Sequence, residues 1–271
     1  MTEALREIAF LWIGGPLGFL DRLCMTSFLA AGHSATLFHY FPVGHVPAGV
    51  DVRDAREIYP NDDILIHRNG SPAMHADIFR LHLMKKTAMI WADTDEFCLR
   101  PFQPINGFLC ARQTDTEVSN AVLRLPDDSA ALEFALDFVK DPAPVPPWVM
   151  PQMKRKLIDA QAVGRPVPVT ELPFPSLGPK LLRYALRHHG GLDEVGPVAQ
   201  FLPLPSTRHR FTVKARLYDE VQQAIASDTT CGIHLWGTNL RKNGWLERIE
   251  RGSFLERRAT ELGIELPGGD G

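Results

Sequence analysis

The chain has 271 residues, 45% hydrophobic and 23% charged, which is enough apolar material for a substantial core and excludes a disordered chain. A net charge of −3 and a pI near 6.4 exclude the basic footprint expected of a nucleic-acid binder. Cys24, Cys98, Cys110 and Cys231 are widely spaced with no CxxC pair, which points to reduced, mostly buried thiols and not to a disulfide framework or a zinc site.

The apolar stretch from Ile8 to Phe19 is interrupted by Gly14, Gly15 and Pro16 and preceded by Glu3 and Glu7. A signal peptide needs a basic start and an unbroken apolar run, and no other stretch approaches the roughly 20 apolar residues of a membrane span. The expectation is a soluble, cytoplasmic protein with no transmembrane segment. Ile8 to Ile13 reads as a first strand stopped by Gly14-Gly15-Pro16. Leu17 to Ala31 has helical spacing, with Leu20, Leu23, Phe28 and Leu29 on one side and Gly32 ending it. His33 to Phe41 reads as the second strand, with a short third one at Val50 to Val52. Strand, helix, strand is the opening of a nucleotide-binding α/β half.

Met74 to Lys86 predicts a helix, with Ser71-Pro72 as cap and first turn and Ile78, Leu81, His82 and Lys85 along one repeat. It feeds into Met89-Ile90-Trp91, a short apolar strand that ends in Asp93-Thr94-Asp95. Further on, Gly107 to Arg112 and Ala121 to Leu125 have strand composition, and Ala130 to Lys140 is helical. Asp141 to Pro151 holds five prolines (Pro142, Pro144, Pro146, Pro147 and Pro151) and predicts a loop. Met153 to Ala162 is helical, and Gly178-Pro179 opens a helix through Leu186. His209 to Val213 and Cys231 to Trp236 read as strands, and Ser253 to Leu262 as a charged amphipathic helix. With no internal repeat and no flexible linker, the prolines mark loops inside a single domain spanning 1–271.

The chemistry concentrates on Asp93 and Asp95. Two carboxylates one residue apart, at the end of a buried strand, suit a divalent cation holding a diphosphate, because hard oxygen ligands favour Mg or Mn. Taken alone, an Asp-x-Asp triplet is also an ordinary exposed turn. Its context adds weight: an amphipathic helix and an apolar strand precede it, and Leu99-Arg100-Pro101-Phe102 follow it. Asp77 and Arg80, three apart on a helix, share a face; the bland account of such a pair is a surface salt bridge. His188-His189 and Lys154-Arg155-Lys156 read as a helix end and a solvated face, although an anionic acceptor could use the latter.

With His75-Ala76-Asp77-Ile78-Phe79-Arg80, Asp93-Thr94-Asp95 and Arg100-Pro101 in this order, the chain resembles Asp-x-Asp (DXD) glycosyltransferases of the GT-A fold. The group it looks like contains yeast-type α-mannosyltransferases, bacterial capsular and lipopolysaccharide sugar transferases and eukaryotic α1,4-glycosyltransferases. Further landmarks are Trp12-Ile13-Gly14, Ser27-Phe28 with Gly32-His33, Asn120-Ala121, Gly178-Pro179 and His234-Leu235-Trp236. The chain departs from the pattern at Thr87-Ala88, where two glycines are common. The resemblance spans roughly residues 8–245.

The resemblance implies a mixed central sheet flanked by helices, with a nucleotide-sugar half over about 1–115 and an acceptor half over about 116–271. It implies a hexosyltransferase, dependent on Mn or Mg, that moves a sugar from a nucleotide-sugar donor to a glycan or glycolipid acceptor, generally with retention, as in polysaccharide biosynthesis. Asp95 would bind the metal directly, Asp93 the metal or the ribose, and His234 either the metal or the diphosphate. Trp12, Gly14, Asp77, Arg80 and Asn120 would meet the donor, and Gly178 and Pro179 the acceptor side. Two rival readings stand beside this one. One is a non-catalytic nucleotide- or carbohydrate-binding protein on the same fold. The other is an aspartate-nucleophile phosphatase, which wants Thr or Val where this chain has Phe97 and places its motif nearer the N-terminus. The donor base and sugar, the acceptor and the choice between a covalent intermediate and front-face attack are not legible in the sequence.

Overall fold

The structure, a computed structural model, describes residues 5–268; Glu3, used above against a signal peptide, lies outside them. The chain runs β1 (Ile8–Trp12), α1 (Phe19–Ala30), β2 (Ala35–His39), β3 (Val50–Asp54), α2 (Ala73–Lys86), β4 (Ile90–Ala92), β5 (Glu96–Cys98) and β6 (Val122–Leu123). It continues with α3 (Ala130–Phe138), α4 (Pro151–Ala162), α5 (Pro179–His189), α6 (Tyr218–Ile225), β7 (Gly232–His234), α7 (Gly237–Lys242) and α8 (Phe254–Leu262). Among the described residues no helix is long and apolar enough to cross a membrane.

A five-stranded sheet has the order β3-β2-β1-β4-β6, parallel except for β6, and helices cover both its faces. The expected mixed, mostly parallel sheet flanked by helices is therefore the fold. Strand β1 is central and buried on both faces, which is why IAFLW is continuously apolar and does not alternate. Its side chains still divide by the period of two. Ala9 and Leu11 join Phe38, Phe79 and Trp91 on the side of α2, while Ile8 and Phe10 join Met25, Phe28 and Leu37 on the side of α1. The chain leaves β1 towards β2 and β3, then returns through α2 to β4 on the other side of β1. Strand order thus reverses between β1 and β4, and the crevice at such a switch point is where open α/β sheets bind ligands.

Helix α2 is buried far beyond one stripe: Met74, His75, Asp77, Ile78, Phe79, Arg80, Leu81, Leu83 and Met84 are all inside. One side packs on the sheet with Phe79 and Met84; the other, with Met74 and Ile78, is covered by Leu157, Val169 and Leu172 from the proline-punctuated second half. The predicted pair Asp77 and Arg80 is accordingly an interior pair and not a surface one.

Two expectations are corrected, and one strand appears that was not expected. His209 to Val213 is not a strand but lies within a 3₁₀ segment, Ser206–Val213, whose apolar Val213 reaches the core without a partner strand. Gly107 to Arg112 forms no ladder, because Phe108, Leu109, Ala111 and Arg112 bridge to four different places: Ile105, Arg124, Gly196 and Val118. The chain past Asp95 forms β5, which leaves the central sheet and pairs antiparallel with β7, Glu96 opposite His234.

Candidate functional site

The acidic turn starts where β4 runs out. The Asp93 amide donates to Ala121 O at 2.7 Å, and the Glu96 amide donates back to Asp93 O at 3.0 Å, closing a turn that carries Asp93, Thr94 and Asp95. Asp95 then ties the C-terminal segment to this turn. Its carbonyl accepts from the Leu235 amide at 2.9 Å, and its Oδ2 from the Gly237 amide at 2.7 Å. The intervening Trp236 is held in left-handed backbone geometry (φ 56°, ψ 49°), unusual for a bulky residue, and its indole donates to Leu204 O at 2.8 Å.

A cleft of about 240 Å³ opens here, bounded by Trp12 and Ile13 at the end of β1, by Trp91 and Asp93 to Asp95 at the end of β4, and by Ala73, Ala76 and Arg80 of α2. Thr238 and Arg241 of α7 close it from the C-terminal side. The carboxylate side chains remain 29% exposed at Asp93 and 17% at Asp95, so both are reachable from the cleft.

Arg80 joins the site's parts. Its guanidinium stacks over Trp91 at 4.5 Å, donates to Asn120 O and to Ala76 O, and lies 3.3 Å from Asp93 Oδ1 and 3.5 Å from Asp77 Oδ1. Asn120 Nδ2 donates to Asp77 Oδ1 at 2.9 Å. Gly178 presses on the same carboxylate, since a methyl group there would lie 2.7 Å from Asp77 Oδ2. Asp77, Asn120 and Gly178 therefore form a buried polar group beside Arg80, with Pro179 starting α5 next to it.

Of the residues singled out in the sequence, Trp12, Arg80, Asp93 and Asp95 line the cleft. The Trp12 indole turns back to Gly15 O at 2.7 Å. Gly14 lies on the exposed bend after β1, where a methyl group would approach Trp12 Nε1 only to 3.5 Å. His234 sits beside Asp95, its Nδ1 3.7 Å from Asp95 Oδ1 and 3.4 Å from Glu96 Oε2, with Trp236 packed edge-on at 4.6 Å. The sequence offered His234 as a metal or diphosphate contact; in the structure it pairs with Asp95 and Glu96 and is not among the residues that line the cleft.

Sequence reading missed Asp21, Glu96, Thr238 and Arg241. Asp21 is buried on α1 and accepts from Thr94 Oγ1 at 2.8 Å and from Arg241 Nη2 at 2.7 Å, linking α1, the acidic turn and α7. One signal was available: an aspartate directly after Leu20 in a helix with core residues on either side has to be paired if it is buried. Arg241 gave none, as a cation in the last turn of a short helix is an ordinary dipole partner.

Electrostatics follow from packing many acids together. Burial lifts Asp93 against Arg80, and the neighbouring Asp95 charge lifts it further. Burial likewise raises Asp77 to about 6, opposed by Arg80 and Asn120, and raises Glu96 to about 7, opposed by His234. For His234, burial disfavours the charge, but Asp95, Glu96 and Asp93 together outweigh it and hold the imidazolium up to about 9. Buried Asp21 is also raised, with Arg241 opposing.

Such crowding of partly buried carboxylates next to an open cleft suits a cation. Asp93 and Asp95 offer hard oxygens, and among the described residues no group of three or more His, Cys, Asp and Glu forms a closed metal cage. This donor set fits Mg or Mn, which keep waters and share their coordination with phosphate oxygens. Trp12 and Trp91 supply aromatic surface, and Arg80 and Arg241 positive charge, so the cleft can hold a ligand with a ring at one end and anionic oxygens at the other.

Compared with protein-family models and with curated proteins, the chain matches none. Among solved structures, it is similar to the PaToxG glycosyltransferase at 12% identity and a TM-score of 0.44, over 90% of this chain and 86% of that one. It is also similar to the glycosyltransferase GlyE of Streptococcus pneumoniae TIGR4, at 12% identity and a TM-score of 0.38, over 99% of this chain and 66% of that one.

Proposed function

We propose that the chain is a metal-dependent glycosyltransferase of the Asp-x-Asp, GT-A type. It moves a sugar from a nucleotide-sugar donor to a glycan or glycolipid acceptor, with retention, from a single domain whose first 115 or so residues hold the donor. The observation that carries this reading is the placement of Asp93 and Asp95. They reach an aromatic- and arginine-lined cleft at the switch point between β1 and β4.

In this reading Asp95 and Asp93 would hold Mn or Mg, which when bound neutralises charge on the departing diphosphate. Trp12 packs against the base end of the donor. Arg80 fixes Asp93 in orientation and keeps Asp77 ionised for the donor sugar's hydroxyls, with Asn120 completing that contact. Arg241, 40% exposed at the side chain and anchored by Asp21, directs its remaining donors to the phosphates. His234, held as a cation by Asp95 and Glu96, braces Asp95 from the side away from the cleft.

A thermal-shift panel of nucleotide sugars with and without Mn tests the proposal. Stabilisation by one donor, larger with Mn, is expected, and would name base and sugar together. A flat response to every nucleotide sugar in both conditions would contradict it.

A further inference from the structure

A second concave region lies on α5, outside the donor cleft. Two adjoining cavities of about 300 and about 190 Å³ share Trp148 and Lys180. Lys180, Arg183 and Arg187 recur at helical spacing, so one face of α5 is cationic, while Leu181, Leu182, Ala185 and Leu186 bury the opposite face in the core. Lys156 of α4 adds a fourth positive charge. Among the described residues Lys156, Lys180 and Arg187 make no salt bridge, and Arg183 has only Glu117, at 3.5 Å. In a chain of net charge −3, a concave surface holding four cations and one carboxylate is a local reversal of sign.

The trench also has a rigid aromatic wall. The Trp148 indole donates to Ser176 O at 3.1 Å and packs on Tyr184 at 5.1 Å, and His188 covers Tyr184 at 4.2 Å. Flat amphipathic rings of this kind receive the apolar face of a sugar, leaving its substituents free for polar partners. Two backbone paths link the trench to the donor side. Gly178, pressed on Asp77, is two residues from Lys180, and Asn120, bonded to Asp77, is three residues from Glu117. From Lys180 to Arg187 the cationic row then extends about 10 Å along the helix, at the usual rise per residue.

We propose that this trench binds an acidic saccharide, one whose sugar rings carry carboxylate or phosphate, with Trp148, which lines both cavities, against a ring and Lys180, Arg183 and Arg187 on the anions. Its assignment as the acceptor site rests on the glycosyltransferase reading; the binding of an acidic saccharide does not.

The test is calorimetry with matched probes: trigalacturonate against its methyl ester, and glucose 6-phosphate against glucose. At least one charged probe is expected to bind tenfold or more tighter than its neutral counterpart, and the two pairs distinguish carboxylate from phosphate as the anion. The double variant Lys180→Glu/Arg187→Glu should erase that advantage while leaving Mn-dependent UDP or GDP affinity at the cleft unchanged. Lys180→Gln/Arg187→Gln serves the same purpose if charge reversal prevents folding. Equal affinity within both pairs, or an advantage that survives the substitutions, would overturn the proposal. If the charged advantage is lost in the variants but no nucleotide binds the cleft, the trench stands and the acceptor role falls.

Discussion

Arg80 Nη2 lies 3.3 Å from Asp93 Oδ1, so the first acid of the Asp-x-Asp turn is paired with a guanidinium that is itself buried under Trp91. The same guanidinium faces Asp77, and removing it leaves two partly or fully buried carboxylates without their cation. Arg80→Met should therefore cost about 3–5 kcal/mol of stability, the usual result of breaking a buried pair from one side. Arg80→Lys, which keeps the charge but lacks the planar fork, should recover part of the loss. Urea denaturation of the two variants checks this, and an Arg80→Met variant as stable as the wild-type protein would contradict the pairing.

Two buried groups two residues apart on α2 bias stability against pH in opposite directions. His75 is fully buried against Tyr40 and Tyr59, and burial pushes it down to about 4 from an ordinary 6.5. Between these values the unfolded chain binds the proton and the folded one does not, so stability falls as pH drops from 6.5 to 4. Asp77, raised by burial to about 6 from 3.8, works the other way: the folded chain holds the proton, and stability rises as pH drops from 6 to 3.8. His75→Phe should flatten or reverse the acid-side loss in thermal midpoint, and Asp77→Asn should steepen it. Midpoints measured from pH 7 to pH 4 on both variants read the slopes, which do not depend on any constant offset each substitution adds.

Gly178 is a glycine for reasons of space. A methyl group there would fall 2.7 and 2.9 Å from the two oxygens of Asp77. Gly178→Ala should displace that carboxylate from Asn120 and cost about 1–3 kcal/mol, as overpacking does. Donor affinity, measured separately, should weaken with it, because Asp77 and Arg80 move together.

Asp95→Asn separates chemistry from folding. The amide oxygen can still accept from Gly237, so stability should change by less than about 1 kcal/mol, the net worth of losing a typical hydrogen bond. Metal-dependent transfer should fall by more than about 100-fold through loss of the ligand charge. Asp95→Ala should lose activity as well and also some stability, because the Gly237 amide is left without its partner. A folded Asp95→Asn variant with unchanged turnover would remove Asp95 from the site.

The central half of the site was legible because it depends on local pattern. The apolar run Met89 to Trp91 ending in two aspartates, and the helix before it, follow from burial and periodicity within some thirty residues. The pairing of Glu96 with His234 was not legible. Strands of three residues carry almost no periodic signal, and their partner lies far away in sequence. His209 to Val213 misled for a related reason: Phe211 and Val213 alternate with Arg210 and Thr212 as in a strand, but the backbone takes 3₁₀ geometry. Asp77 and Arg80 looked like a surface pair because nothing local reveals that the side of α2 away from the sheet is covered by Leu157, Val169 and Leu172, far downstream.

Calorimetry of UDP and GDP binding, with Mn and then with a chelator, on wild-type protein and on Asp95→Asn, tests the account at its centre. At least one diphosphate is expected to bind tenfold or more tighter with Mn, with the difference largely lost in the Asn variant. Identical affinity with Mn and with chelator in the wild-type protein would contradict the metal and diphosphate role of the Asp93-Thr94-Asp95 turn.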